Sequence, residues 1–166
     1  MTIQPTPEFA MLFRDFMVER IRDEHACTGR VFAEVHDGDW RPDPKSRSAR
    51  ELAWHLAHSE RWFLSSAADI KFEGGQDGPL PGTLAEIVAF YDDGFESDLA
   101  RLSALSGEQL LQPADFFGMS LPLYTLLNFA HIHTIHHRGQ LATYLRPLGG
   151  KVPDIYGGSA DTPWQA

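Results

Sequence analysis

The chain has 166 residues, a net charge of −9 and a single cysteine. That length buries a self-sufficient apolar core, so no disulfide framework is required, and Cys27 has no second thiol in the chain to pair with. Basic residues are scattered through an acidic whole, which argues against a phosphate-reading face for nucleic acid or for an anionic membrane.

The opening segment MTIQPTPEF shows neither a basic n-region nor an apolar h-region, and no apolar run approaches spanning length. A cytoplasmic protein is expected. From Glu8 to Val35 the apolar residues Phe9, Leu12, Phe13, Phe16, Met17, Ile21, Val31, Phe32 and Val35 recur at helical spacing, predicting a first helix over about 8–35. Arg20, Glu24 and Thr28 fall on the same stripe and either turn polar groups inward or mark its edge, and Thr28-Gly29 is a weak point. The Gly-, Pro- and Asp-rich stretch HDGDWRPDPKS is a connection. Its surroundings hold the densest basic group, Arg41, Lys45, Arg47 and Arg50, read as a solvated loop.

Ser46 or Ser48 caps a second helix over about 48–68, with Leu52, His55, Leu56, Ser59, Trp62 and Phe63 along one face. The segment GGQDGPLPG ends that unit. Thr83 followed by Glu86 has the form of a capping box and opens a third helix over about 83–105, carrying Leu84, Ile87, Val88, Tyr91, Phe95, Leu99 and Leu102. Ser120 as cap and Pro122 in the first turn open the last, over about 121–146, which Pro147, Gly149 and Gly150 terminate. Val152, Ile155, Tyr156 and Trp164 equip the tail, 147–166, to pack back. No strand-like alternation is long enough to build a sheet. The expected architecture is one all-α domain over 1–166, a four-helix bundle whose connections are long enough for a crossover.

Six of the eight histidines lie in two helical clusters, His55 with His58 and then His131, His133, His136 and His137. A lone histidine on an apolar face is usually a hydrogen-bonded core residue. A pair at i and i+4 is different: His133 and His137 leave one helix face a turn apart, and burying both is costly unless something uses their ring nitrogens. With His55 supplied by the second helix, three neutral imidazoles could hold one divalent metal ion and leave a coordination position open, as catalytic sites do. Zinc, nickel, copper and iron all suit imidazole, so ligand type does not name the ion.

Gln140 and Tyr144 extend the face of His137 and either line a pocket or serve as a surface amide and a core ring. Glu51, one turn before His55, either holds that ring's second nitrogen or is solvated. Arg138 leaves another face and is expected to pair with an acidic residue of the tail or a neighbouring helix. His25, His36, His58, His131 and His136 are left as structural or surface residues. Thr134 follows His133 where the HExxH metalloprotease signature needs Glu, and no Glu-x-x-His, CxxCH, phosphate loop or GxSxG elbow occurs.

The segments SRSARELAWHLAHSE around His55, and HTIHHRGQLATYLRPLGG followed by KVPDIYG, resemble the DinB/YfiT-like family over nearly the whole chain. The resemblance implies a four-helix bundle of crossed connectivity, a metal held by His55, His133 and His137, and a homodimer. Family members with known activity include S-transferases and isomerases that use bacillithiol, mycothiol or glutathione. The leading expectation is therefore a metal-dependent enzyme acting on a small molecule, in which zinc or nickel activates a low-molecular-weight thiol for S-transfer or isomerisation. Two alternatives stand beside it: hydrolysis by a metal-bound hydroxide, and a non-catalytic dimeric binding or stress-response module with a structural metal. Neither nucleic acid nor membrane is expected as a partner.

Overall fold

A computed structural model describes residues 4–164, so the first three residues of the expected domain and the last two of the expected tail lie outside the described residues. Helix α1 (Pro7–Ala33) starts at Thr6, whose side chain accepts the Phe9 N–H, with Pro7 in the first turn where its missing N–H costs nothing. It runs unbroken through Thr28-Gly29. Its stripe divides: Met17, Ile21, Val31 and Phe32 are buried, whereas Phe9, Leu12 and Phe16 face solvent. Of the polar residues on it, Glu24 and Thr28 are interior and Arg20 is exposed. The buried Glu24 carboxylate is compensated by the Arg138 guanidinium and the Tyr156 hydroxyl, so the pairing expected of Arg138 is with α1.

Helix α2 (Ala49–Asp69) opens with a reciprocal capping box between Ser48 and Glu51. A second box, Thr83 with Glu86, opens α3 (Leu84–Asp92). The single helix expected over 83–105 is instead two, because the chain turns at Asp93-Gly94 before α4 (Phe95–Ser103). Gly94 has φ +70°, a left-handed conformation that no continuing helix adopts, and a Cβ there would lie 2.7 Å from the Arg61 guanidinium. Ile87, Tyr91, Phe95, Leu99 and Leu102 nonetheless remain buried, so the broken helix keeps the apolar face that its spacing demanded.

The short helix α5 (Gly107–Leu111) leads into a hairpin of β1 (Pro113–Phe116) and β2 (Met119–Pro122), paired antiparallel from Pro113↔Pro122 to Phe116↔Met119. Phe117 and Gly118 make its turn with φ of +52° and +80°, the two positive values that a tight two-residue hairpin turn requires. This sheet corrects the expectation of an all-α chain; strands of four residues, prolines at both outer ends, are too short to show an alternation. It also moves the start of the last helix. Ser120 pairs with Asp115 rather than capping, and α6 (Leu123–Tyr144) begins after Pro122 with no side-chain cap.

The fold is mostly helical. Helix α6 packs on α1 along one side and α2 along another, and α2 also packs on α3 and α4. Apolar clusters fill both ends: Met17, Leu64, Leu99, Leu123 and Leu127 at one, Val31, Phe32, Leu52, Ile87 and Leu141 at the other. Beyond α6, Gly149 at φ +81° lets the Gly150 N–H close back on the Leu145 carbonyl at 2.9 Å. Val152 and Ile155 then pack on the second cluster and Tyr156 reaches Glu24, but Trp164 is 78% exposed and does not join them. Among the described residues no helix is long and apolar enough to cross a membrane.

Candidate metal centre

The α2–α6 seam brings His55 against His133 and His137, with ring centroids 5.0 and 4.5 Å from His55 and 4.4 Å from each other. One nitrogen from each ring lies within 4.8 Å of the others. The hydrogen bonds at the remaining nitrogens fix which way each ring faces. Asp77 places both carboxylate oxygens 2.9 Å from Nδ1 of His55. Gln140 accepts at its Oε1 from Nδ1 of His137, at 2.8 Å. Ser59 donates its hydroxyl proton to the His55 carbonyl at 2.5 Å, leaving a lone pair for Nδ1 of His133 at 3.3 Å. The Nδ1 of His55 thus carries a proton toward Asp77 and the Nδ1 of His137 one toward Gln140, which leaves an unshared pair on the Nε2 of each, with His133 beside them.

His55 and His137 present those Nε2 atoms to one another at 3.3 Å. Two lone pairs at that separation repel unless a cation lies between them. Two nitrogens each about 2.0–2.1 Å from one ion at a tetrahedral angle stand about 3.3 Å apart, so the His55–His137 pair has the spacing of two ligands of one divalent ion, with His133 within 4.8 Å as the third. Burial, with the neighbouring His137, His55 and His136 adding to it, lowers the His133 pKa to about 3. His137 is lowered too, chiefly by burial and against the Gln140 hydrogen bond. Both rings are therefore neutral at physiological pH, as metal ligation needs.

Glu51 does not support His55: its carboxylate accepts the Ser48 N–H at 2.6 Å, where capping holds it. Asp77 does so instead, from the GGQDGPLPG segment, which Trp54 ties to α2 by donating to the Gly78 carbonyl at 2.8 Å. Sequence reasoning missed Asp77, because a loop residue 22 positions from its partner carries no periodic signal. Ser59 was placed on the correct face without a role. Gln140 and Tyr144 both border a cavity of about 530 Å³ that His137 and Arg47 also line. The other histidines stand elsewhere. His25 is stacked between Tyr91 and Phe95 and bonded to Glu60, His131 faces Glu24, His58 packs on Trp54, His136 bonds Gln140, and His36 is exposed beside Glu34.

A mostly helical fold with three convergent imidazoles defines a class of helical proteins with a candidate metal site. The chain belongs to the DinB family, whose model matches residues 11–165. It is 31% identical to the uncharacterized protein YrdA of Bacillus subtilis over 108 residues, 64% of each chain, and 29% identical to YjoA of the same organism over 117 residues, 66% of this chain and 73% of YjoA. The match thus spans just under two thirds of YrdA. Among solved structures, a DinB-like protein from Bacillus cereus superposes with a TM-score of 0.73 at 26% identity, covering 84% of this chain and 95% of that one. YjoA superposes with a TM-score of 0.69 at 26% identity, covering 84% and 96%.

Proposed function

We propose that this protein is a metal-dependent enzyme, a four-helix bundle of crossed connectivity in which His55, His133 and His137 hold one zinc or nickel ion and a low-molecular-weight thiol is activated for transfer to a small electrophile. The convergence of one ring nitrogen from each of the three histidines, with Asp77, Ser59 and Gln140 bonded to the rings, carries the reading. A bound divalent ion supplies Lewis acidity at the open side of the cluster. The chain's own residues supply orientation: Asp77, Ser59 and Gln140 hold the three rings, and the cavity beside His137 admits the reactants.

A thiol is favoured over water as nucleophile because no carboxylate beside the cluster is free to act as a general base. Asp77 is committed to His55 and Glu51 to the helix cap, so neither carboxylate is spare to take a proton from water. In the transfer a sulfur–carbon bond forms and the thiol proton passes to solvent, while a carbon–halogen bond breaks and releases halide, or an epoxide carbon–oxygen bond breaks and its oxygen takes up a proton from solvent. The exposed Phe9, Leu12 and Phe16 of α1 and Ile132 of α6 support a homodimer.

The experiment is turnover of a small-thiol panel with an epoxide and a halogenated electrophile, using metal-loaded wild type and His137→Ala. Thiol-dependent turnover lost in the variant supports the proposal. Turnover without thiol points to hydrolysis. No turnover, with metal removal only lowering the melting temperature, points to a binding module with a structural ion. Sedimentation of the wild type tests the dimer.

A further inference from the structure

The cavity beside His137 is chemically lopsided. Ser46 and Arg47 line it from the loop before α2, Leu52 from α2, and His137, Gln140, Thr143 and Tyr144 from α6. In a chain with 23 acidic residues and a net charge of −9, that lining holds one cation and no carboxylate. At about 530 Å³ it suits a small organic molecule. Arg47 and Ser46 also border a second cavity of about 410 Å³, where Arg41 and Lys45 are balanced by the carboxylates of Glu51 and Asp77. Of the cations in the stretch 41–47, read from sequence as a solvated loop, Arg47 is the one that lines the cavity with His137.

Arg47 is also under-used. Of its five N–H donors, one makes a single long contact, Nη2 to Asp77 Oδ2 at 3.4 Å, and the side chain is 46% exposed. Arg50, three residues on, donates to the Pro81 and Gly82 carbonyls and to Asp39, and so holds loops together. A guanidinium with a free planar edge at the mouth of a carboxylate-free cavity is a receptor for a planar or tetrahedral oxyanion. The Tyr144 hydroxyl has no protein partner among the described residues, and Trp40 packs edge-on to its ring at 5.3 Å, fixing it in the wall.

We infer that the cavity beside His137 seats an anionic oxygen group of the substrate, carboxylate or phosphate, with Arg47 as its counter-charge and the cavity's neutral side chains as hydrogen-bond partners. This deepens the proposed function and rests on it for the reacting end of the molecule; the seat itself is made of this chain's residues alone. Anchored there, one end of a small substrate lies on Arg47 and the other faces the three imidazoles across His137.

The test has two arms. In the first, metal-free protein is titrated with succinate and, separately, with inorganic phosphate, followed by amide chemical shifts. The seat predicts saturable shifts confined to the neighbourhood of Ser46, Arg47, Gln140 and Thr143, abolished in Arg47→Met, and the tighter of the two anions identifies the group. Shifts that are absent, scattered or unchanged in Arg47→Met overturn it. In the second arm, metal-loaded protein is titrated calorimetrically with 3-mercaptopropionate and its methyl ester. The acid is expected to bind about ten-fold tighter, with the preference falling toward one in Arg47→Met; equal affinities in wild type overturn the seat while leaving thiol binding intact. Succinate binding with no response to either thiol leaves the seat standing and removes the thiol from the proposed function.

Discussion

Asp77→Asn isolates the support of the candidate centre from its ligands. In the wild type both Asp77 oxygens stand 2.9 Å from Nδ1 of His55, holding the proton on that nitrogen and the lone pair on Nε2. An asparagine keeps one neutral acceptor, loses the charge, and can turn its NH₂ toward the ring, which drives the proton to Nε2 and blocks ligation there. Loss of such a partner typically costs ten- to a hundred-fold in metal affinity, about 1.4–2.7 kcal/mol. The broken Arg47–Asp77 contact adds little, because a half-exposed pair is worth at most about 1 kcal/mol. The assay is competition for zinc with a chromophoric chelator at neutral pH. Glu51→Ala is the control: it removes half of a capping box, costs about 1 kcal/mol of stability, and leaves zinc affinity unchanged. An Asp77→Asn affinity within a factor of two of wild type, or an equal loss in Glu51→Ala, refutes the reasoning.

Three further outcomes follow from the same structure. The folded-state pKa of His133 is lowered to about 3, so as pH falls below its unfolded value near 6.5 the unfolded chain takes up the proton first; metal-free protein loses stability from about pH 6.5 down toward 3. Urea unfolding at several pH values in chelator checks this, and His133→Gln should flatten the slope. Arg138→Met leaves the buried Glu24 carboxylate without its cation and is expected to cost about 3–5 kcal/mol, partly recovered in Arg138→Met with Glu24→Gln; a loss under about 1 kcal/mol contradicts the pairing. Gly94→Ala forces a side chain into a left-handed position against Arg61 and should destabilise by about 1–3 kcal/mol in thermal melts.

Much of this was legible in the sequence because it depends on local rules. The capping residues Ser48 and Thr83, the α2 stripe and the α1 stripe from Met17 onward follow from periodicity and hydrogen-bonding chemistry, and the structure bears them out. The three histidines were grouped by spacing on two helices, and the structure brings them within 4.8 Å. What escaped depends on chain direction or on contacts distant in sequence. Gly94 sits inside an otherwise continuous stripe, and its φ is not visible in the pattern. The hairpin is too short to alternate. Asp77 and Arg47 reach the site from loops whose composition signals only a turn, and the outward face of Phe9, Leu12 and Phe16 is indistinguishable by spacing from a buried one.

The central claim is that His55, His133 and His137 hold a metal ion. Elemental analysis of untagged protein purified without chelator, wild type beside His55→Ala and His137→Ala, tests it most directly. The account predicts close to one divalent ion per chain in wild type and loss from both variants while they remain helical. Wild type that takes up no metal on reconstitution at neutral pH, or variants that keep it, would contradict the claim.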